Sequence, residues 1–536
     1  MRNGADVHVY LQVPGTTPSG GSSTPAVLPI PPDDLRRHSA RVLEPTRAEA
    51  LPDDPPLGPT VYRHHVLLIP TAVASNPGVI ASINAALNPA GLLVVPAILS
   101  AASVGRLILR AASRGALPTV IDAWRALQIL RAAARAGQLP ADLVAQISLE
   151  HLLLGVPVDP DNGAWHGSPV GGGVASSYGP PDLAFRRPIE LLLAPPARRP
   201  DLRRRPVIAI LDSGIGPNPW LGIPASGPLP AGSRVRVDGG LQQLVRLLGQ
   251  QEKAVSPNSR VLLDEWDQPA SSQPLIGELD SHSGHGTFAA GIVAQIAPDA
   301  DTLIVRVMHS DGILYEADVL CVLDRLIDQI TAAQQAGAAA AIVDILCLPF
   351  GFFAESPRAA TPLLDRLRRL LRLGVLVVAA AGNEATSERF YPAAGSIELP
   401  LDPSPPALPL LAVGALNPNG SIALYSNEAA WVTCWASGSV IASTYPVAQG
   451  SRNAGNGLER TGAPRPLDRR QALDDDDFST GFAVWSGTSF ATPVAAAAIA
   501  TALLGLVEQP SLDLLQPAQM TSRALAAMAN VRANSS

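Results

Sequence analysis

The chain has 536 residues, too many for one ordinary hydrophobic core, so about two to four domains are expected. Its formal charge of −7 comes with no long basic block, which argues against nucleic acid or an anionic membrane surface as a partner. Cys321, Cys347 and Cys434 lie far apart in sequence without metal-ligand spacing, so neither a disulfide framework nor a zinc site is indicated and a reducing compartment fits.

Residues 1–58 are dense in Pro, Ser, Gly and Asp and read as a mobile arm, with one short strand at "VHVYLQV". The first thirty residues lack the charged start and continuous apolar stretch of a secretory signal, so the expected location is the cytoplasm. From there "VYRHHVLLIPT" reads as a strand, "NPGVIASINAALNPAG" as a helix opening at Asn76-Pro77 and closing at Gly91, and "LLVVPAIL" as a strand. Helical periodicity resumes in "VIDAWRALQILRAAARAG" and ends at Gly137. Together these predict a small α/β domain over residues 59–160.

A Gly-, Pro- and Arg-rich zone over 161–204 reads as a solvated linker, its arginines Arg198, Arg199 and Arg203 to Arg205 included. Beyond it the texture changes. "PVIAIL", "TLIVRVM", "AIVDILCL", "GVLVVAAA" and "LPLLAVGAL" are short apolar runs, with helical stretches such as "ADVLCVLDRLIDQITAAQQAG" and "TPLLDRLRRLLRLG" between several of them. The pattern predicts, over 205–532, a doubly wound, mostly parallel sheet with helices on both faces, whose site lies at the carboxyl ends of the strands. The longest apolar run, Ala336 to Ala354, holds Asp344, Pro349 and two glycines and reads as a buried strand with its exit loop, not a membrane span.

Candidate chemistry sits at those ends. Asp212 follows "VIAIL" directly, and a carboxylate there either caps a turn or serves a site. Asn383 follows "VLVVAAA" in a Gly-Asn turn. His285 stands between Gly284 and Gly286 at the start of an apolar helix, whereas His282 lacks that setting and reads as a surface residue. Ser489, in "WSGTSFATPVAAAAIA", is a helix cap or a nucleophile. A hydroxyl, an imidazole, a carboxylate and an amide donor are the parts that serine catalysis needs.

With "VIAILDSGIG", "SGHGTFAAGIVAQIAPDADTLIVRVM", "GVLVVAAAGNEA" and "SGTSFATPVAAAAIA" in this order, the chain resembles the subtilisin-like serine proteases. The resemblance implies an endopeptidase with Ser489 as nucleophile, His285 as general base, Asp212 as its orienting carboxylate and Asn383 in the oxyanion hole. It implies a polypeptide substrate bound in extended form between the segments of Pro349, Phe350 and Gly351 and of Ala380, Ala381 and Gly382, with no cofactor required for the chemistry. Pro349 and Phe350 stand where a small polar and an aliphatic residue are common in the family; Pro349 offers no N–H and Phe350 adds aromatic bulk. It also implies that the N-terminal domain is a prodomain, acting as an intramolecular inhibitor or chaperone; the alternative for that domain is a permanent accessory domain that recruits a partner or substrate. The alternative is an occluded, protease-like scaffold protein. Residues 447–483 read as a solvated loop whose run Asp474 to Asp477 lacks calcium-loop spacing, and "LLDEWDQP" in the insert before His285 is assigned no role beyond framing the cleft.

Overall fold

The computed structural model describes residues 8–12, 30–51, 56–112, 120–155, 186–268, 279–399, 407–447, 458–459, 469–470, 477–507 and 515–534. The N-terminal domain is an antiparallel sheet backed by helices. It comprises β2 (Ala40–Leu43), β3 (Thr60–Pro70), β4 (Leu92–Ala97), β5 (Val104–Ala111) and β6 (Ser148–Gly155), in the order β4-β5-β3-β6 with β2 beside β3. The helices α2 (Thr71–Ala74), α3 (Pro77–Leu87), α4 (Ala123–Arg135) and α5 (Ala141–Val144) complete it. Local signals explain the helix ends. Asn76 caps α3 by accepting from the Gly78 N–H, and Asp122 caps α4 by accepting from the Arg125 N–H.

Residues 1–58 are not a simple arm. Strand β1 (Val9–Leu11) is built into the second domain, while α1 (Pro32–Arg37) and β2 belong with the first. The first domain therefore starts before residue 59, because β2 completes the sheet alongside β3 and the buried Leu43 joins that domain's core.

The second domain is built on eight strands in the order β1-β17-β16-β14-β12-β8-β10-β9. These are β8 (Val207–Asp212), β9 (Val235–Val237), β10 (Asp301–Arg306), β12 (Ile345–Leu348), β14 (Leu376–Ala380), β16 (Leu410–Leu416) and β17 (Cys434–Ser437), all parallel, with β1 antiparallel at the edge. Buried on both faces, the central strands must be apolar, and β12, β14 and β16 are so throughout, as is β8 up to its last residue, Asp212. After β8 the chain moves to β9 and β10 on one side, then returns to β12 on the other. That reversal opens a crevice at the carboxyl end of β8.

Helices α6 (Gly239–Val255), α8 (Glu316–Ala336) and α9 (Thr361–Arg372) pack as one group, and α7 (His285–Ile296), α10 (Thr488–Val507) and α11 (Pro517–Asn534) as another. Helix α10 is long and apolar enough to cross a membrane by length and composition, but 72% of that stretch is buried inside the protein. It is apolar all round because it lies between α7, α11 and the sheet.

The two domains share a sheet. Strand β6 pairs antiparallel with β11 (Ile313–Tyr315) and with β13 (Phe350–Phe353), and β13 continues to β15 (Phe390–Tyr391). A buried ionic lattice accompanies the junction. Arg63 of β3 donates to Glu150 and to Glu252 of α6 at 2.9 Å each, and Arg106 of β5 donates to Glu150 at 2.8 Å and Asp318 of α8 at 2.7 Å. His38, between α1 and β2, meets Asp311 and the Tyr315 hydroxyl at 2.9 Å each.

The described part of the predicted linker is anchored as well. Strand β7 (Arg187–Pro188) joins β21 (Phe482–Trp485), which pairs in turn with β18 (Ile441–Thr444). Arg204 is buried with both guanidinium nitrogens on Asp344, at 2.8 and 2.7 Å, while Arg198 pairs with Asp301 and Arg199 and Arg205 with Asp299. A proline-rich segment with no ladder of its own is held by its arginines against carboxylates of the domain it precedes. Within 447–483, the short pair β19 (Leu458–Glu459) and β20 (Arg469–Arg470) is described, whereas Asp474 to Asp476 of the acidic run lie outside the described residues.

Candidate active site

Asp212 is the last residue of β8, placed at the crevice by the sheet reversal. His285 is the first residue of α7, after Gly284 at φ +82°, a conformation that favours glycine. The glycine also leaves room, since a Cβ at Gly284 would sit 2.3 Å from the Tyr445 ring. The helix start is pinned from the neighbouring strand, because Ser443 and Thr444 donate to the carbonyls of Phe288 and Thr287 at 2.7 and 2.8 Å.

The His285 ring nitrogen Nδ1 lies 2.8 and 2.9 Å from the two carboxylate oxygens of Asp212. A carboxylate only accepts, so Nδ1 carries the proton and Nε2 is left as the basic nitrogen. Among the described residues Nε2 has no hydrogen-bond partner. Trp485 and Phe490 flank the ring, with centroids 5.7 and 4.9 Å away, and fix its plane.

Ser489 is the second residue of α10, one residue before Phe490, so the same packing that seats His285 seats the serine's helix turn. Pro493, inside α10, withholds the N–H that would otherwise bind the Ser489 carbonyl. Asn383 stands three residues beyond the end of β14, and its side-chain oxygen accepts from the Thr488 N–H at 3.0 Å and the Thr488 hydroxyl at 2.9 Å. With the oxygen anchored to Thr488, the amide orientation is set and its NH₂ is turned the other way. The structure thus gathers all four predicted residues at one end of the sheet. Asp212, His285 and Ser489 are each 0% exposed.

The predicted substrate segments divide. Pro349 joins β12 to β13, and Phe350 and Gly351 already pair with Gly155 and Leu154 of β6. Ala380, Ala381 and Gly382 are not a second pairing edge. Ala380 pairs with Val413, the Ala381 N–H binds the Val413 carbonyl, the Gly382 N–H binds the Thr488 hydroxyl, and Asn427 satisfies the carbonyls of Ala381 and Gly382. The second edge around β6 is β11, which sequence reasoning missed. Three residues between a glycine turn and a helix give no strand signal of their own.

His282 is a further correction, for it is 1% exposed and not on the surface. Its ring is wedged between two glycines, and a Cβ at Gly155 or at Gly312 would sit 2.5 or 2.2 Å from it. Burial, with His285 beside it, pushes its pKa down to about 3, so it is a neutral spacer. Arg186 closes the other side. Its guanidinium lies 5.1 Å over the Trp485 ring and 5.6 Å over Tyr445, and donates to the Ser283 carbonyl at 2.9 Å. Glu384, next to Asn383, is a partly buried residue whose carboxyl is raised by desolvation to about 7 despite an Asn427 hydrogen bond at 2.9 Å.

Known proteins resemble this chain chiefly over its second domain. The model of the subtilase family matches residues 203–532. The chain is 27% identical over 258 residues to the membrane-bound transcription factor site-1 protease of Homo sapiens, which covers 46% of this chain and 20% of that protein. It is 28% identical over 182 residues to the major intracellular serine protease of Bacillus subtilis (strain 168), covering 31% of this chain and 49% of that one. The chain thus spans less than half the length of these curated relatives. Among solved structures, a cold adapted subtilisin-like serine proteinase aligns with a TM-score of 0.34 at 17% identity, over 62% of this chain and 87% of that one. Fervidolysin from Fervidobacterium pennivorans, a keratinolytic enzyme related to subtilisin, aligns with a TM-score of 0.41 at 15% identity, over 86% of this chain and 57% of that one.

Proposed function

The chain belongs to the subtilase family, and from that premise we propose that it is a serine endopeptidase whose own N-terminal domain closes its cleft. The observation that carries the reading is the His285 ring, held through Nδ1 by Asp212 with Nε2 left basic, at the foot of the serine's helix. Nε2 takes the Ser489 proton as the hydroxyl attacks the scissile carbonyl, then returns it to the leaving amine. Asp212 fixes the tautomer and stabilises the imidazolium without itself taking the proton. The Asn383 NH₂ and the Ser489 backbone N–H donate to the oxyanion. These steps call on no cofactor.

An extended polypeptide substrate adds as a strand between β11 and β13, the position that β6 holds. The N-terminal domain is on this reading an intramolecular inhibitor. The complete burial of Asp212, His285 and Ser489 also favours a second reading, a protease-like scaffold that never opens.

A fluorophosphonate probe and an unfolded protein substrate separate the two. The endopeptidase reading expects labelling and cleavage by the wild-type chain, both lost in Ser489→Ala, and self-processing of the wild type on the C-terminal side of β6. Equal intact mass of wild type and Ser489→Ala after incubation removes self-processing. No labelling, even after removal of the N-terminal domain with a protease, removes the enzyme.

A further inference from the structure

The insert between Asp212 and His285 carries Trp266 and Asp267, and it is stitched to the loop after β8. The Ile215 N–H binds the Glu265 carbonyl at 2.9 Å and the Asp267 N–H returns to the Ile215 carbonyl at 2.7 Å. The fit is close, for a Cβ at Gly214 would sit 2.4 Å from the Glu265 carbonyl oxygen. This delivers the Asp267 carboxyl, 8% exposed as a residue, to a point between the two segments that carry Asp212 and His285.

There one carboxylate oxygen, Oδ2, accepts from two directions. Ser213, next to Asp212, donates its hydroxyl at 3.0 Å, and the N–H of Gly284, next to His285, donates as well. The Ser213 hydroxyl oxygen in turn accepts from the Gly286 N–H at 3.1 Å. Both residues flanking His285 are therefore tied, through one carboxylate and one hydroxyl, to the residue that follows Asp212. Among the described residues the other oxygen, Oδ1, is buried without a partner.

We propose that Asp267 is a positioning residue, whose ionised carboxylate holds the end of β8 and the start of α7 at the separation that lets His285 and Asp212 pair. Charge-assisted bonds of this kind are short and strong, and they weaken when the acceptor takes a proton. The charged neighbours are Asp212 on β8 and Arg306 at the end of β10, with Asp264 on the Arg306 guanidinium. Burial raises the Asp267 pKa to about 6, against the pull of Arg306 and the bonds from Gly284 and Ser213. The tie is thus complete well above pH 6 and loosens as pH falls through about 6.

The kinetic consequence rests on the endopeptidase reading, but the geometric one does not. Asp267→Asn keeps the shape and an accepting oxygen while removing the charge. Its kcat should fall about tenfold to a hundredfold, with KM within about twofold, because misplacement of the pair acts on the chemical step. The acid limb of kcat/KM should lose the step that Asp267 contributes near pH 6 and so report one proton fewer than in the wild type. Independently of turnover, the low-field proton resonance of His285 Nδ1–H, followed in the full chain carrying Ser489→Ala, should move when Asp267→Asn is added.

Unchanged kcat, acid limb and resonance overturn the proposal, and so does a lowered melting temperature with all three unchanged. If Asp267→Asn does not fold, Ser213→Ala decides. It removes both the Ser213 bond to Asp267 and the Gly286 bond to Ser213, leaving Asp267 held by Gly284 alone, so a displaced resonance supports the role and an unmoved one overturns it. A resonance that moves in a chain whose wild type never turns over supports Asp267 and sinks the endopeptidase.

Discussion

Replacing His151 with leucine tests whether the N-terminal domain is clamped by charge. The ring, on β6, is 0% exposed and lies between two carboxylates of the other domain, with Nδ1 2.6 Å from Glu316 and Nε2 2.7 Å from Glu355. Burial opposes its charge, yet the two glutamates outweigh that and lift the pKa to about 10. Breaking a buried pair from one side costs about 3–5 kcal/mol, because the partners stay buried and uncompensated. A rise from the ordinary value near 6.5 to about 10 is of the same order.

The sign follows from the raised pKa. The contribution is full below about 6.5 and disappears as pH rises through about 10. In a Ser489→Ala background, urea unfolding at pH 7 should show His151→Leu less stable by about 3–5 kcal/mol, with the gap closing above pH 10. In the Ser489 chain, the same loss at the junction should speed fluorophosphonate labelling about a hundredfold or more, at roughly tenfold per 1.4 kcal/mol. A stability change under about 1 kcal/mol at pH 7, or a gap that does not depend on pH, would refute the clamp.

On the endopeptidase reading, Asn383→Ala should lower kcat by roughly 10²–10³ and leave residual turnover, because one oxyanion donor is lost and the other remains; steady-state kinetics with KM measured separately checks it. Gly286→Ala places a Cβ 2.2 Å from the Gly214 carbonyl oxygen, which is backbone and cannot swing aside, so the start of α7 must shift and probe labelling of Ser489 should fall at least tenfold. Wild-type labelling in that variant would show the loop to be more yielding than its packing implies. Deleting residues 1–12 removes Val9 and Leu11 from the main core, 4% and 7% exposed, and bares the edge of β17; a loss of about 3–6 kcal/mol is expected in urea unfolding, at about 1.5–3 kcal/mol for each buried side chain. An unchanged midpoint would mean that β1 adds nothing to the domain.

The peptidase sheet was legible because its strands are buried on both faces, which leaves uninterrupted apolar runs such as "VIAIL" and "VLVVAAA". Asp212, His285, Asn383 and Ser489 were legible for a related reason: each follows a strand or opens a helix, and glycines crowd around them. What escaped depends on contacts between distant segments. His282 has no local mark of burial, since the glycines that enclose its ring are Gly155 and Gly312. Asp267 looks like one more acidic residue in a polar insert until Ser213 and Gly284 close on it. Strand β11 and the true partner of β13 are defined only by β6, which comes from another domain. The arginines at 198–205 read as solvated because their carboxylate partners lie about a hundred residues or more downstream.

Inhibition and substrate binding use the same hydrogen bonds on the proposed reading, and that decides how the cleft can open. Strands β11 and β13 each offer one edge, and any extended chain entering between them must pair with both. Strand β6 belongs to the same chain as those edges, so it competes as an intramolecular ligand, at an effective concentration of up to about millimolar. A free polypeptide at micromolar concentration cannot displace it by mass action alone. Opening therefore has to weaken the tethered strand itself, by removing the positive charge at His151 or by cutting the chain on the C-terminal side of β6. The cut alone does not free the N-terminal part, because β1 stays paired with β17 and Arg63 and Arg106 stay locked on Glu252 and Asp318. Of the two routes, loss of charge at the junction acts on the docking equilibrium directly, whereas cleavage acts only through the tether.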